Sequence, residues 1–218
     1  VGKYYVDSKV EVRGLLARYY DLLLDLMTLG TYRRFLKEAI SYMSIGSRDR
    51  ILDLGCGTGK NARLMRNYLS NEGSIMGLDI SEVMIKQFIG KCNIFPNVKI
   101  MFARADKALP FNDEVFDKIL ISFLMHGFPQ DIREHMLGEA HRVLKHKGQL
   151  FIFDYNEFIF ENAPVYIRIF FRALECPYAF DFIKRDWETI LFSKHFDSPE
   201  KKLFFNNCVR VLKARKIN

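Results

Sequence analysis

Asp53-Leu54-Gly55-Cys56-Gly57-Thr58-Gly59 is the stretch from which the fold is read. It joins the apolar run Arg50-Ile51-Leu52-Asp53-Leu54, which has the length and composition of a buried strand, to an amphipathic stretch at about 60–69 that predicts a helix. Three glycines at a strand-to-helix turn leave bare backbone against which a ligand can lie. Spacing decides between the ligand classes that use such turns. A phosphate-binding loop needs G-x-x-x-x-G-K-[ST]; Gly59-Lys60 supplies the G-K, but Leu54 stands at the first glycine and Asn61 at the hydroxyl. A dinucleotide fingerprint, G-x-G-x-x-G, needs glycine where Lys60 stands.

Outward from the turn, strand and helix patterns alternate. Strands are expected at 74–78, 98–102, 115–122 and 148–154, with helices at 81–92 and 129–144 between them. That spacing implies βαβ units and a parallel sheet with helices on both faces. Before the sheet, helical periodicity covers 9–29, with Val10, Leu15, Leu22 and Leu26 among its apolar positions, and a second helix runs from Gly30 to about Met43. Residues 156–196 are aromatic-rich and expected to be helical. Apolar runs at 201–205 and 208–214 flank Asn206-Asn207, which predicts a two-residue hairpin because Asn tolerates positive φ. The expectation is an α/β domain with a seven-stranded, mostly parallel sheet ending in an antiparallel hairpin. Within one domain, 1–47 would be N-terminal cap helices, 48–155 the cofactor-binding core, 156–196 a helical substrate lid and 197–218 the hairpin.

The 218 residues are enough for one substantial core, and no apolar run reaches the ~20 residues of a membrane span. No signal pattern opens the sequence, so a cytoplasmic location is expected. Cys56, Cys92, Cys176 and Cys208 are too scattered for a zinc site, so reduced, metal-free thiols are expected. The net charge of +7 is spread along the chain, as on solvated helix faces, which argues against nucleic acid as a partner.

G-x-G-x-G with Asp53 two positions ahead of Gly55 resembles motif I of the class I S-adenosylmethionine-dependent methyltransferases, with their Rossmann-like fold. There the loop cradles the methionine and ribose parts of a cofactor that has no phosphate. Twenty positions beyond Gly59, Asp79 closes the strand Ile75-Met76-Gly77-Leu78, where a carboxylate can accept both ribose hydroxyls. Phe111-Asn112-Asp113-Glu114-Val115-Phe116-Asp117 after Leu109-Pro110 is similar to the family's L-P-F-x-D-x-x-F-D. His141-Arg142-Val143-Leu144-Lys145-x-x-Gly148-Gln149-Leu150 is similar to R-V-L-K-P-G-G-x-L, with His146-Lys147 in place of Pro-Gly. The resemblance implies S-adenosylmethionine as cofactor, held by Asp53, Gly55, Cys56, Gly57, Gly59, Asp79, Ile80 and Ser122. In the family's G-D-A-x-x-L-P-F the Asp meets the adenine; here Ala105 stands at that place and Asp106 one step later, so both are carried as adenine neighbours. The run Tyr19–Arg33 resembles the Y-D-x-x-N-D-x-x-S-x-G-x-x-R stretch of the quinone C-methyltransferases, which implies that Tyr20 covers the cofactor. The Arg-Asn-x-x-Asp of those enzymes after the fourth strand is replaced by Met125-His126-Gly127-Phe128.

Ligands of open α/β sheets bind beyond the carboxyl ends of the strands, which directs attention to Ser122–Phe128 and Asp154–Glu157. His126 is the one histidine in those loops and the candidate general base. Asp154, Tyr155, Tyr166 and Phe170 are the candidate acceptor contacts, and a small apolar or aromatic acceptor such as a quinone precursor is expected, with peripheral membrane contact where the acceptor is lipid-like. Two rivals stand beside this reading. An RNA or DNA methyltransferase acting on base amino groups would show [DNS]-P-P-[YFW] after the fourth strand, where Phe123-Leu124-Met125-His126 stands. A non-catalytic cofactor-binding or assembly protein would keep the fold and lack an acceptor pocket.

Overall fold

The computed structural model describes Ser8 and residues 30–217. The helix expected over 9–29, and with it Tyr20, lies outside the described residues. The elements run α1 (Thr31–Tyr42), β1 (Arg50–Leu54), α2 (Lys60–Arg66), β2 (Ser74–Asp79), α3 (Glu82–Cys92), β3 (Val98–Phe102), β4 (Phe116–Ser122), α4 (Gln130–Val143) and β5 (Leu144–Tyr155). Then come α5 (Val165–Leu174), α6 (Pro177–Phe182), α7 (Trp187–Ser193), β6 (Glu200–Phe204) and β7 (Val209–Arg215).

Seven strands form one sheet in the order β3-β2-β1-β4-β5-β7-β6. β1 to β5 are mutually parallel and β7 pairs antiparallel with both β5 and β6. Strand order reverses between β1 and β4, so the crevice at their carboxyl ends is where this topology opens a ligand site. Parallel strands covered on both faces need continuous apolar runs, and Ile51, Leu52, Leu54, Ile119, Leu120 and Ile121 are all buried. The α/β class, the parallel sheet and the closing antiparallel pair are thus as the sequence predicts.

Two elements differ from expectation. The hairpin turn is not two residues: Phe204 pairs with Val209, leaving Phe205–Cys208 as the loop. Phe205, Asn206 and Asn207 all take positive φ, and the Phe205 ring packs 5.6 Å from that of Phe35. β5 begins at Leu144, directly after α4, and a register shift opposite Phe116/Lys118 absorbs the extra residues. Lys147 holds φ 60° there, at the place where the methyltransferase pattern has glycine.

Segment 156–196 contributes to the core through a subset of its aromatic and apolar side chains, while others stay exposed. Phe171, Phe182, Trp187, Leu191 and Phe196 are buried. Phe171 gathers Tyr155, Phe158, Phe160 and Phe180 around it with ring centroids 4.6–6.1 Å away. Among the described residues two arginines are wholly buried. Arg210 of β7 lies over the rings of Phe182 and Trp187, each at 5.7 Å, and pairs with Glu157. Arg133 of α4 donates to Met125 O, Tyr178 O and Asp181 Oδ2 at 3.0, 2.6 and 2.7 Å, stitching α4 to the turn after β4 and to α6.

Candidate functional site

The turn after β1 is shaped by three glycines in the left-handed region, of which two show what the sequence needs there. At Gly59 (φ +82°) a Cβ would lie 2.8 Å from the Phe88 ring and 3.0 Å from Cys92 Sγ, so its role is packing against α3. At Gly57 (φ +54°) a Cβ would meet nothing within 4 Å, because it would project into the open crevice. Gly55 and Cys56 N–H both donate to Leu78 O, which fastens the turn to β2.

Asp79 faces the turn from the end of β2. Its Oδ2 accepts the Gly57 N–H and its Oδ1 the Ser81 N–H, each at 2.8 Å. Burial pushes its pKa up, opposed by the N–H donors of Ser81, Gly57 and Ile80. Ser81 is the N-cap of α3, its Oγ accepting from Met84 N, so Asp79 is not needed as a cap. Beneath the turn, Asp53 is wholly buried, and neither carboxylate oxygen has a hydrogen-bond partner among the described residues. Burial, reinforced by the charge of Asp79, pushes its pKa up to about 7. Asn61 Oδ1, in the first turn of α2, is likewise buried without a partner among the described residues.

The crevice bounded by these groups is lined by Gly55, Cys56, Gly57, Asp79, Ile80, Ala105 and Ser122, seven of the residues expected from the sequence. Asp53 and Gly59 lie outside that lining, under the turn. Asp106 lies outside it too, gripped bidentately by Arg104 at 2.9 and 2.7 Å, and Ala105 takes the wall position one residue earlier. The other end of the crevice is apolar and aromatic: Tyr32 from α1, with Phe123, Leu124 and Phe128 from the turn after β4. The Tyr32 and Phe123 rings are 5.9 Å apart, and Lys60 stands 5.2 Å over Tyr32. The expected loop Ser122–Phe128 does wall the crevice, but through Phe123, Leu124 and Phe128 and not His126; Tyr32, Lys60 and Asn61 were missed. Lys60 and Asn61 had a signal, as the first residues of the helix that the glycine turn opens; Tyr32 had none beyond its helical period.

His126, Asp154, Tyr155, Tyr166 and Phe170 do not line the crevice. His126 Nδ1 is 2.7 Å from Asp154 Oδ1, and Nε2 is 3.5 Å from Glu175 Oε2. Tyr155 OH donates to Glu175 Oε1 at 2.7 Å. Burial opposes the charged imidazole, but the carboxylates of Asp154 and Glu175 outweigh it and raise the His126 pKa. Tyr166 is 57% exposed on the outer side of α5, and Phe170 packs half-buried beside Phe171. Burial and the nearby Asp53 raise the Cys56 thiol well above its ordinary pKa, so it is no thiolate nucleophile at neutral pH.

An S-adenosyl cofactor fits the residues present. Gly57 offers a cradle that a Cβ would fill, Asp79 keeps unused lone pairs that could take ribose hydroxyls, and Asn61 Oδ1, in the crevice lining, is a buried acceptor without a donor among the described residues.

Comparison with known proteins agrees with this geometry. Residues 51–148 match a methyltransferase domain family. The ubiquinone/menaquinone biosynthesis C-methyltransferase UbiE of Xylella fastidiosa is 34% identical over 163 residues, covering 72% of this chain and 62% of that protein. Its namesake in Coxiella burnetii is 32% identical over 154 residues, covering 69% and 60%. The chain thus spans about three-fifths of the length of these relatives. Among solved structures, a methyltransferase from Aquifex aeolicus superposes with a TM-score of 0.64 at 19% identity, covering 84% of this chain and 89% of that one. A chain from the complex of the Haloferax volcanii Trm112 methyltransferase activator with a methyltransferase superposes with a TM-score of 0.71 at 16% identity, covering 95% and 100%. These structural likenesses carry the fold, and the domain match and the relatives carry the family: the chain belongs to the class I S-adenosylmethionine-dependent methyltransferases.

Proposed function

We propose that this chain transfers a methyl group from S-adenosylmethionine to a small apolar or aromatic acceptor, a quinone precursor being the leading candidate. The observation that carries the reading is the two-ended crevice, with the glycine turn and Asp79 at one end and Tyr32, Phe123, Leu124 and Phe128 at the other. When bound, the cofactor supplies an electrophilic methyl on a sulfonium, whose S–CH3 bonding pair stays on sulfur as the acceptor's pair takes the methyl. The chain's own residues do the rest. Asp79 and the backbone of 55–57 would hold the ribose and methionine parts, and Ile80 and Ala105 would line the adenine's place. The aromatic end excludes water and orients a flat acceptor for in-line attack.

The activity for which the relatives are named, C-methylation in ubiquinone and menaquinone biosynthesis, supports an aromatic acceptor. A lipid-like acceptor would also account for the outer face of α5, where Val165, Tyr166 and Ile169, together with Ile159, are exposed beside Arg168 and Arg172. That pairing of apolar and basic side chains suits an anionic membrane surface. Among the described residues no helix is long and apolar enough to cross one.

A methyltransfer screen over naphthoquinols, phenols, amines and short RNAs tests the acceptor. Turnover of the naphthoquinols or phenols is expected, and turnover confined to hydrophilic amines or RNA would overturn the reading. Co-sedimentation with phosphatidylserine vesicles should be lost in Ile169→Asp.

A further inference from the structure

His126 stands where three elements meet. Its backbone N–H donates to Asp154 Oδ2 at 3.2 Å and its ring faces Asp154 Oδ1, at the end of β5. On the other side of the ring is Glu175, the residue that ends α5, whose second oxygen is held by Tyr155 OH. His126 itself belongs to the turn after β4 that presents Phe123, Leu124 and Phe128 to the crevice. In that turn Phe123 holds φ 48°, a conformation that residues with a side chain rarely adopt, so the turn depends on its ties.

A carboxylate only accepts hydrogen bonds. A ring with a carboxylate oxygen at each nitrogen therefore satisfies both only when both nitrogens carry protons; a neutral ring turns a lone pair on either Asp154 or Glu175. The remaining neighbours are few. Arg133 of α4 reaches the His126 carbonyl at 3.5 Å, Cys176 Sγ lies 4.0 Å from the same oxygen, and the rings of Tyr155 and Phe182 flank the imidazole at 4.9 and 6.4 Å. Arg133 and burial disfavour the charge, and the two carboxylates favour it more strongly.

We propose that His126 is a positioning residue for methyl transfer: doubly protonated, it clamps the ends of α5 and β5 onto the turn 123–128, and losing a proton loosens α5 from the crevice wall. The kinetic consequence rests on the methyltransferase reading of the crevice; the clamp itself does not. The sign is fixed by the raised pKa. The clamp is intact at low pH and is lost as pH rises through the folded-state pKa of His126. A general base at this position would show the reverse, activity rising as the imidazole becomes neutral.

Three measurements on the full chain test the clamp. In NMR titration, the His126 ring should change charge above about pH 6.5, the ordinary histidine value, and at lower pH in Glu175→Gln. Hydrogen exchange of α5, corrected for intrinsic rates, should quicken about tenfold between pH 6 and 9 in the parent, and should be fast and pH-independent in His126→Ala. With a working acceptor, His126→Ala should lower kcat while affinity for S-adenosylhomocysteine stays within about threefold. His126→Asn should keep much of the parent's kcat, because its amide nitrogen can replace Nδ1 toward Asp154. A ring that titrates below the ordinary value, pH-independent exchange in the parent, or activity that rises with pH and is not rescued by Asn would each overturn the proposal. Should no acceptor turn over, the acceptor reading fails, and titration and exchange still decide the clamp.

Discussion

Asp79 Oδ2 accepts the Gly57 N–H at 2.8 Å, so the end of β2 and the apex of the glycine turn are one unit before any ligand arrives. The carboxylate orders the turn, and under the proposed function its spare lone pairs would take ribose hydroxyls. Asp79→Ala removes both functions. S-adenosylhomocysteine binding should weaken by roughly 1.5–3 kcal/mol, measured by calorimetry, with Asp79→Asn between parent and Ala. Unchanged affinity in Asp79→Ala would remove this residue from the site.

The two neighbouring glycines should part company on substitution. Gly59→Ala drives a Cβ to 2.8 Å from Phe88 and 3.0 Å from Cys92 Sγ as well as straining the backbone, and should cost about 2–4 kcal/mol of folding stability. Gly57→Ala meets no protein atom, so only the ~1–2 kcal/mol backbone penalty applies to folding, while its methyl occupies ligand space. Urea denaturation should rank Gly59→Ala as less stable, and calorimetry should rank Gly57→Ala as the weaker cofactor binder relative to its stability.

The sheet and the glycine-turn end of the crevice were legible because short-range rules govern them. A strand-to-helix glycine turn, an acidic strand end and alternating periods fix Gly55–Gly59, Asp79 and the order of β1 to β5 without knowledge of distant contacts. What was not legible depends on partners far away in sequence. Phe205 leaves β6 for the loop with its ring beside Phe35, and Asp106 is held by Arg104 outside the crevice lining. Tyr32 joined the wall through Phe123. The aromatic density of 156–196 was visible, but not its division into a core around Phe171 and an exposed face at Tyr166, since a single sequence does not say which rings meet.

Asp53 should leave a signature in the pH dependence of stability. Its folded pKa of about 7 lies above the ordinary 3.8, so between those values the folded chain holds a proton that the unfolded chain releases. Stability contributed by this group is therefore full below about pH 4, falls as pH rises toward 7, and levels off above it, by on the order of 4 kcal/mol in all. In the cofactor-free protein, Asp53→Asn should flatten that segment of the Tm-versus-pH curve. A cationic cofactor over the turn favours the carboxylate, so calorimetry near pH 6 in buffers of different ionisation enthalpy should show proton release on S-adenosylmethionine binding, and Asp53→Asn should abolish it. A parent and variant with parallel Tm curves would show that Asp53 is ionised throughout.

Arg133 carries the last prediction, and it follows from geometry that its sequence context, Gln130-Asp131-Ile132-Arg133-Glu134, does not announce. A fully buried guanidinium is costly to desolvate, and burial does lower its pKa, against the pull of Asp181. It is kept because its donors reach Met125 O, Gln130 Oε1, Asp181 Oδ2, Tyr178 O and His126 O, while its plane lies 5.0 Å over the Phe182 ring. Arg133→Ala would take a donor from three backbone carbonyls and from the Asp181 carboxylate, so destabilisation of about 3–5 kcal/mol is expected in chemical denaturation. Lysine offers a point charge where a planar fork is needed, so Arg133→Lys should recover less than half of that loss. Because Met125 and His126 belong to the turn that walls the crevice, Arg133→Lys should also lower kcat in any chain that remains folded. Full stability and activity in Arg133→Lys would show that one charge suffices and that the fork geometry is incidental.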